Sequence, residues 1–66
     1  MKIYDFTVPE LNYFREMCNF TPEEMEYFNL RAKYFSNQQI AIKMKVSEAK
    51  VSKLAKAVKS KILRVI

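Results

Sequence analysis

The sequence predicts an all-α fold, a small bundle of about four helices that contains a helix-turn-helix. Apolar residues recur at helical intervals, most regularly near the end of the chain, where Val51, Leu54, Val58 and Ile62 are three or four residues apart. A serine or threonine stands before each helical segment, where its hydroxyl can cap the first turn. No segment alternates with the period of a strand, and a length of 66 residues suits one domain. We therefore expect a single helix-turn-helix domain over residues 1–66.

Residues 1–19 are expected to form an N-terminal lead-in and the first helix. The first six residues read as a short extended segment. The pattern from Thr7 to Glu10 is typical of a capping box, in which the threonine hydroxyl accepts an N–H bond and the glutamate reaches back to the threonine N–H. Helix 1 should follow to about Cys18.

Residues 20–66 should hold three more helices and form the helix-turn-helix core. A second capping box, from Thr21 to Glu24, has proline at the first helical position, where its missing N–H costs nothing. Helix 2 should run from there to about Tyr34.

Two further helices are indicated by serine caps. Ser36 precedes a short third helix, about Asn37 to Met44, and Ser47 precedes a fourth, about Glu48 to Arg64. In a helix-turn-helix these two helices meet at a steep angle through a tight turn, so small or apolar residues are needed where they cross. Those positions hold Ile40, Ala41, Met44, Val46, Val51 and Leu54.

The composition argues against catalysis and metal binding. The chain has no histidine, no glycine and a single cysteine, Cys18. It therefore lacks the commonest general base and metal ligand, a glycine-rich phosphate loop, and the thiolates of a metal site. We expect no enzyme, no cofactor and no metal. The lone thiol and the lack of an export signal suggest a cytoplasmic protein, and the short apolar runs predict no membrane segment.

The net charge of +5 is unevenly distributed. Residues 1–32 carry three basic and six acidic groups, a net charge of −3, whereas residues 33–66 carry nine basic groups and one acidic group, a net charge of +8. A basic half of this kind attracts a polyanion, with nucleic acid the first candidate and an anionic membrane the second.

The fourth helix carries most of the residues that would face DNA. Lys50 and Lys53 lie early enough in it to reach guanine edges, and the other lysines of the motif suit phosphate contacts. Asn37 and Gln38, at the start of helix 3, can donate to a phosphate through a side chain or a backbone N–H. The expected DNA-binding residues are Asn37, Gln38, Lys43, Lys45, Ser47, Glu48, Ala49, Lys50, Ser52, Lys53, Lys56 and Lys59.

These motifs resemble those of two bacterial families. Residues 20–32 are similar to the opening LTPxExEVLxLxA of LuxR-type response-regulator DNA-binding domains, residues 36–41 to their SNxEIA, and residues 46–51 to their ISxxTV. Residues 46–54 also resemble the LSxxRVSQL of region four of sigma factors, and residues 61–64 its terminal KLR. The resemblance covers about two-thirds of the chain. It implies a sequence-specific transcription regulator, a free-standing small protein of the sort found in bacteria and their phages.

The chain departs from the LuxR pattern at two turn positions. Tyr34 and Lys45 stand where those domains commonly have glycine. Lys45 is therefore expected to adopt a left-handed backbone conformation without glycine's freedom.

Other partners also fit the sequence. Region-four-like domains dock on RNA polymerase, so the resemblance allows a module that binds polymerase or another transcription protein without reading DNA. A helix lying on a membrane surface fits less well, because the lysines surround a packed domain. The C-terminal apolar residues either pack on helix 1 or form a homodimer contact; they are Ile62, Leu63, Val65 and Ile66.

Overall fold

The computed structural model describes residues 2–66 and contains four α-helices. They are α1 (Val8–Met17), α2 (Pro22–Ala32), α3 (Asn37–Met44) and α4 (Glu48–Val65), preceded by a 3-10 turn at Ile3–Asp5. The described part of the chain contains no strand, so the predicted all-α class is confirmed.

Each helix begins at a hydroxyl cap, as the sequence predicts. The capping boxes at Thr7 and Thr21 are both complete. A third box, not predicted, pairs Ser36 with Gln39, so that its two side chains each accept the other residue's backbone N–H. The Ser47 hydroxyl accepts a single N–H at the start of α4. Caps of this kind are each worth about 1 kcal/mol, and they fix where the four helices start.

The ends of α2 and α3 are formed without glycine. Tyr34 and Lys45 have φ values of 72° and 58°, in the left-handed region, as expected for Lys45. Lys45 N–H donates to Ile42 O, and the next residue's N–H donates to Ala41 O, the two bonds of a Schellman motif. The same pair of hydrogen bonds follows α2. This helix ends at Ala32, two residues earlier than predicted, because the positive φ of Tyr34 cannot continue a right-handed helix.

Ile3–Asp5 form a 3-10 turn, so the extended segment predicted for residues 1–6 is wrong there; Lys2 and Phe6 on either side are extended, and Met1 lies outside the described residues. The N–H groups of Asp5 and Phe6 donate to carbonyls three residues earlier, which closes a 3-10 turn. This turn buries Ile3 against α2 and places the Tyr4 ring 5.2 Å from the centre of the Arg31 guanidinium. The conformation therefore depends on a surface that exists only after α2 has folded.

The core lies where α4 packs against α2 and α3. Its largest fully buried side chains are Phe28, Ile40, Val51, Val58 and Ile62. The longest helix, α4, supplies three of these, so its position is fixed along most of its length by burial of apolar surface. Among residues 2–66, no helix combines the length and the apolar character that crossing a membrane requires.

A partly buried ion pair also ties α4 to α2. Lys61 Nζ contacts Glu24 Oε1, which also accepts the Thr21 N–H at 3.0 Å. Burial acts to raise the pKa of the Glu24 carboxyl, but the hydrogen bonds from Lys61 and Thr21 outweigh it and lower the pKa below the ordinary value of 4.5. The carboxylate is therefore ionised at neutral pH, as the pairing requires.

Candidate nucleic-acid interface

Two opposite stripes with the same helical spacing run along α4. The buried or half-buried stripe is Val51, Leu54, Ala55, Val58 and Ile62. A second stripe, here called the outer stripe, is exposed and consists of Ala49, Ser52, Lys53, Lys56 and Ser60. Each of its members lies two residues before a member of the buried stripe, a rotation of about 200° around an α-helix. The outer stripe therefore faces directly away from the core, with small side chains and lysines together.

Four of the six basic side chains of α4, Lys53, Lys56, Lys59 and Arg64, make no ion pair with any of residues 2–66. The three lysines among them are exposed. Pairing of Lys61 with Glu24 leaves that lysine's charge on the α2 side of the helix. The unpaired lysines keep the outward side of α4 positive, as binding to a polyanion requires.

Two of the expected DNA-binding lysines do have intramolecular contacts. Lys50 Nζ lies 3.3 Å from Glu23 Oε1 with both side chains about half exposed, and Lys43 Nζ lies 5.2 Å from the centre of the Phe35 ring. An ion pair this exposed contributes at most about 1 kcal/mol, so Lys50 can exchange it for another acceptor at small cost. The structure therefore places Lys50 on the flank of α4 that faces α2, and Lys53 on the outer stripe.

The connection from α3 to α4 leads directly into the outer stripe. Lys45 is exposed and left-handed, and the Ser47 hydroxyl accepts the Lys50 N–H at 3.1 Å. Glu48 occupies the first turn of α4, where the positive end of the helix dipole favours a negative side chain. Ser47 and Glu48 thus have roles in starting the helix, and Ala49 is the first residue of the outer stripe.

The start of α3 presents free backbone donors. The Ser36 hydroxyl accepts the Gln39 N–H at 3.2 Å, and Ser36 O accepts the Ile40 N–H at 2.9 Å. The N–H groups of Asn37 and Gln38 have no acceptor among the residues that the structure describes. Both are exposed, so they can donate to a negatively charged group, as the sequence suggested.

A cleft of about 240 Å³ lies between the 3-10 turn, α2, the start of α3 and the middle of α4. We call it the basic cleft; its lining residues are Ile3, Tyr27, Arg31, Asn37, Ala55, Lys56 and Lys59. Three expected DNA-binding residues, one from α3 and two from α4, come together here. Arg31 was not among the residues that the sequence indicated, and its only local signal is its position one helical turn after Tyr27.

The polar groups of the basic cleft are arranged by their contacts with one another. The Tyr27 hydroxyl donates to Asn37 Oδ1 at 3.2 Å, which joins α2 to α3. Burial raises the pKa of the Tyr27 phenol, and the nearby positive charge of Arg31 opposes that rise. The phenol therefore remains protonated at neutral pH and keeps its role as the donor.

The C-terminal apolar residues divide between the core and the solvent. Ile62 is fully buried, and Val65 lies against α1, where its carbonyl accepts the Tyr13 hydroxyl at 3.4 Å. Leu63 and Ile66 remain 56% and 75% exposed. Val65 and Ile66 adjoin the exposed Tyr13 and Met17 of α1, and we call these four residues the α1–α4 apolar surface.

Comparison of the chain with protein-family models, with curated proteins and with solved structures finds no match. Any assignment of function therefore rests on the residues and the geometry described above.

Proposed function

We propose that the chain is a sequence-specific transcription regulator that binds double-stranded DNA. In this proposal α3 and α4 act as a helix-turn-helix, and the outer stripe of α4 enters the major groove. The single observation that carries the proposal is the outer stripe, which combines small side chains and unpaired lysines on one face of a helix whose opposite face is buried. Burial of one face holds such a helix in place, and the lysines on its other face form no ion pair with residues 2–66.

The dimensions of α4 suit a DNA groove. The major groove of B-DNA is about 12 Å wide and admits one α-helix. With 18 residues at about 1.5 Å each, α4 is about 27 Å long, enough to extend from the bases to the flanking backbone. The small side chains of Ala49 and Ser52 allow a close approach to the bases, and the lysines beside them can reach acceptors.

The distribution of charge supports binding to the phosphate backbone. Between Lys33 and Ile66 the chain has nine basic groups against one acidic group, and the acidic residues of α2 neutralise only Lys50 and Lys61. Contacts to about 5–8 phosphates would give a slope of log K against log salt of about −4.5 to −7. Binding should therefore weaken steeply as salt rises.

The positions of the lysines suggest different roles on DNA. Lys53, on the outer stripe, is the best placed to donate to guanine O6 and N7, and Lys50 can join it after leaving Glu23. Lys59 lies to the side of the outer stripe, beside α3, and suits a backbone phosphate. Lys43 in α3 and Lys45 after it are assigned to phosphates, and so is Lys56, which belongs to the outer stripe but also lines the basic cleft.

Substitution of two lysines on the same helix tests these roles. Lys53→Gln should weaken binding to the preferred sequence and relax the preference, whereas Lys59→Gln should weaken binding to all sequences by about the same factor. Lys33→Gln is the matched control, because Lys33 is exposed and lies after α2, outside the interface. The measurement is fluorescence anisotropy on specific and scrambled duplexes. Equal losses on every duplex for Lys53→Gln and Lys59→Gln would contradict the division of roles.

A second candidate function is favoured by the α1–α4 apolar surface. Exposed apolar side chains that cluster often mark a protein-binding site, here for RNA polymerase or another transcription protein. Purified polymerase should then retain the chain after nuclease treatment, and Ile66→Ser should reduce retention while Lys53→Gln does not. Loss of retention on nuclease treatment would remove this candidate.

The same surface offers a contact for a homodimer. A symmetric dimer would place two α4 helices on half-sites about one turn of DNA apart. Sedimentation of the free protein at micromolar concentration tests this, and a monomer throughout would exclude a dimer of the free protein in that range.

A further inference from the structure

The basic cleft has more positive charge than packing requires. Arg31 from α2 and Lys56 and Lys59 from α4 converge on it, and no carboxylate is among its seven lining residues. Like charges that converge on one cavity repel one another, and an anion bound there would offset that repulsion.

Arg31 is held in place with donors to spare. One of its terminal N–H groups donates to Phe35 O at 2.7 Å, and its guanidinium centre lies 5.2 Å from the centre of the Tyr4 ring. A guanidinium has five N–H donors in a planar fork that suits the oxygens of a phosphate. The contacts with Phe35 and Tyr4 therefore fix the plane of the group and leave further N–H groups for a ligand.

Asn37 adds uncharged donors to the same cleft. Its Oδ1 already accepts the Tyr27 hydroxyl, so its side-chain NH₂ remains available. Its backbone N–H, at the start of α3, has no acceptor among residues 2–66. A cavity of about 240 Å³ has room for a small oxyanion with some of its water, since one water occupies about 30 Å³.

We propose that the basic cleft binds one phosphate group, and that this group belongs to the backbone of the bound duplex. The second part rests on the proposed function. Lys56 belongs both to the outer stripe and to the wall of the cleft, so the cleft opens beside the surface assigned to the major groove. The phosphate would therefore lie on a strand that flanks the groove, contacted by Arg31, Asn37, Lys56 and Lys59.

The binding of phosphate itself is tested without DNA. Inorganic phosphate is titrated into the full chain at constant ionic strength, with chloride as the reference anion, and followed by NMR. The expected result is a saturable shift of the Arg31 side-chain N–H and of the Asn37 and Gln38 amides. Lys59→Gln should weaken this binding, and Lys33→Gln should leave it unchanged. Shifts that do not saturate, or that respond equally to both substitutions, would overturn the site.

The salt dependence of DNA binding tests whether the bound phosphate belongs to the duplex. Removal of one backbone contact should reduce the magnitude of the salt slope by about 0.9. We expect this reduction for Lys59→Gln and Arg31→Gln, and no change for Lys33→Gln. Far-UV circular dichroism verifies the fold of Arg31→Gln, because this substitution also removes the bond to Phe35. Lys59→Gln, which removes no hydrogen bond, keeps the test decisive if Arg31→Gln unfolds.

A duplex in which one phosphate is replaced by a neutral methylphosphonate shows which backbone phosphate the basic cleft contacts. The modification is moved along the preferred site one phosphate at a time. At one position it should weaken binding of Lys59→Gln by a clearly smaller factor than binding of the unmodified chain, because Lys59 is one of the groups that contact this phosphate. Additive losses at every position would overturn the assignment to a backbone phosphate. If the chain binds inorganic phosphate in the cleft but no duplex, the proposed function fails and the cleft remains a site for phosphate from another source.

Discussion

Replacement of Lys45 by glycine should stabilise the fold. A non-glycine residue in the left-handed region costs about 1–2 kcal/mol, and Lys45 adopts that region with φ 58° and ψ 44°. Glycine removes this cost but gives the unfolded chain more freedom, which offsets about 0.4–1 kcal/mol. The exposed Lys45 side chain makes no hydrogen bond or ion pair with residues 2–66, so little else changes. The expected net gain is about 0.5–1 kcal/mol in the free energy of unfolding.

Thermal unfolding followed by circular dichroism measures this gain. In a domain of this size about 1 kcal/mol corresponds to a rise of about 4–8 °C in Tm, so Lys45→Gly should raise Tm by a few degrees. Lys45→Gln is the matched control, since it removes the same charge but keeps a β-carbon. If the two variants unfold at the same temperature, the left-handed conformation carries no strain and the reasoning is refuted. Their affinities for DNA should fall equally, because both lose only a phosphate contact.

Two further predictions concern the packing of α4. Glu24→Gln should destabilise the fold by about 1–3 kcal/mol, less than for a fully buried pair, because Lys61 stays about one-quarter exposed after losing its partner. Because folding lowers the pKa of Glu24, the ionised carboxylate stabilises the fold above pH 4.5, and this stabilisation is lost as the pH falls below that value. The free energy of unfolding of Glu24→Gln should therefore show less decline at acid pH than that of the unmodified chain. The same pH dependence in both proteins would contradict the pairing of Glu24 with Lys61. Ala41→Leu should cost about 1–3 kcal/mol in denaturant unfolding, because Ala41 is 6% exposed and belongs to the core, so a larger side chain would displace its neighbours. Ile42→Leu, on the exposed side of α3, should be neutral within about 0.5 kcal/mol. Equal costs for the two α3 variants would show that Ala41 is not closely packed.

The sequence predicts most of the helical architecture because the signals for it are local. A hydroxyl residue followed three positions later by glutamate gives the same cap geometry wherever it occurs, so the helix starts at Thr7 and Thr21 were predictable. The positions of α3 and the left-handed Lys45 were also predicted, the latter through a resemblance to domains with glycine there. The end of α2 was placed two residues too late: Tyr34, like Lys45, stands where the LuxR pattern has glycine, but the sequence around it does not distinguish a tyrosine that ends a helix from one that continues it.

Features that depend on tertiary contacts were not predictable from local patterns. The 3-10 turn at the N-terminus forms where Ile3 can be buried against α2, and the sequence of residues 1–6 does not encode that surface. The pairing of Lys50 with Glu23 likewise joins residues 27 positions apart. The basic cleft is assembled from four elements that extend from Ile3 to Lys59, so Arg31 could be recognised as a member only after the helices had been placed.

The measurement that tests the central claim most directly is selection from a pool of random duplexes. The chain is titrated into the pool at several salt concentrations, and the bound fraction is sequenced. A helix-turn-helix that reads the major groove through the outer stripe predicts steeply salt-dependent binding, an enriched motif of a few base pairs, and a weaker motif for Lys53→Gln. Binding without enrichment, or no binding at low salt, would contradict the claim that α4 reads DNA.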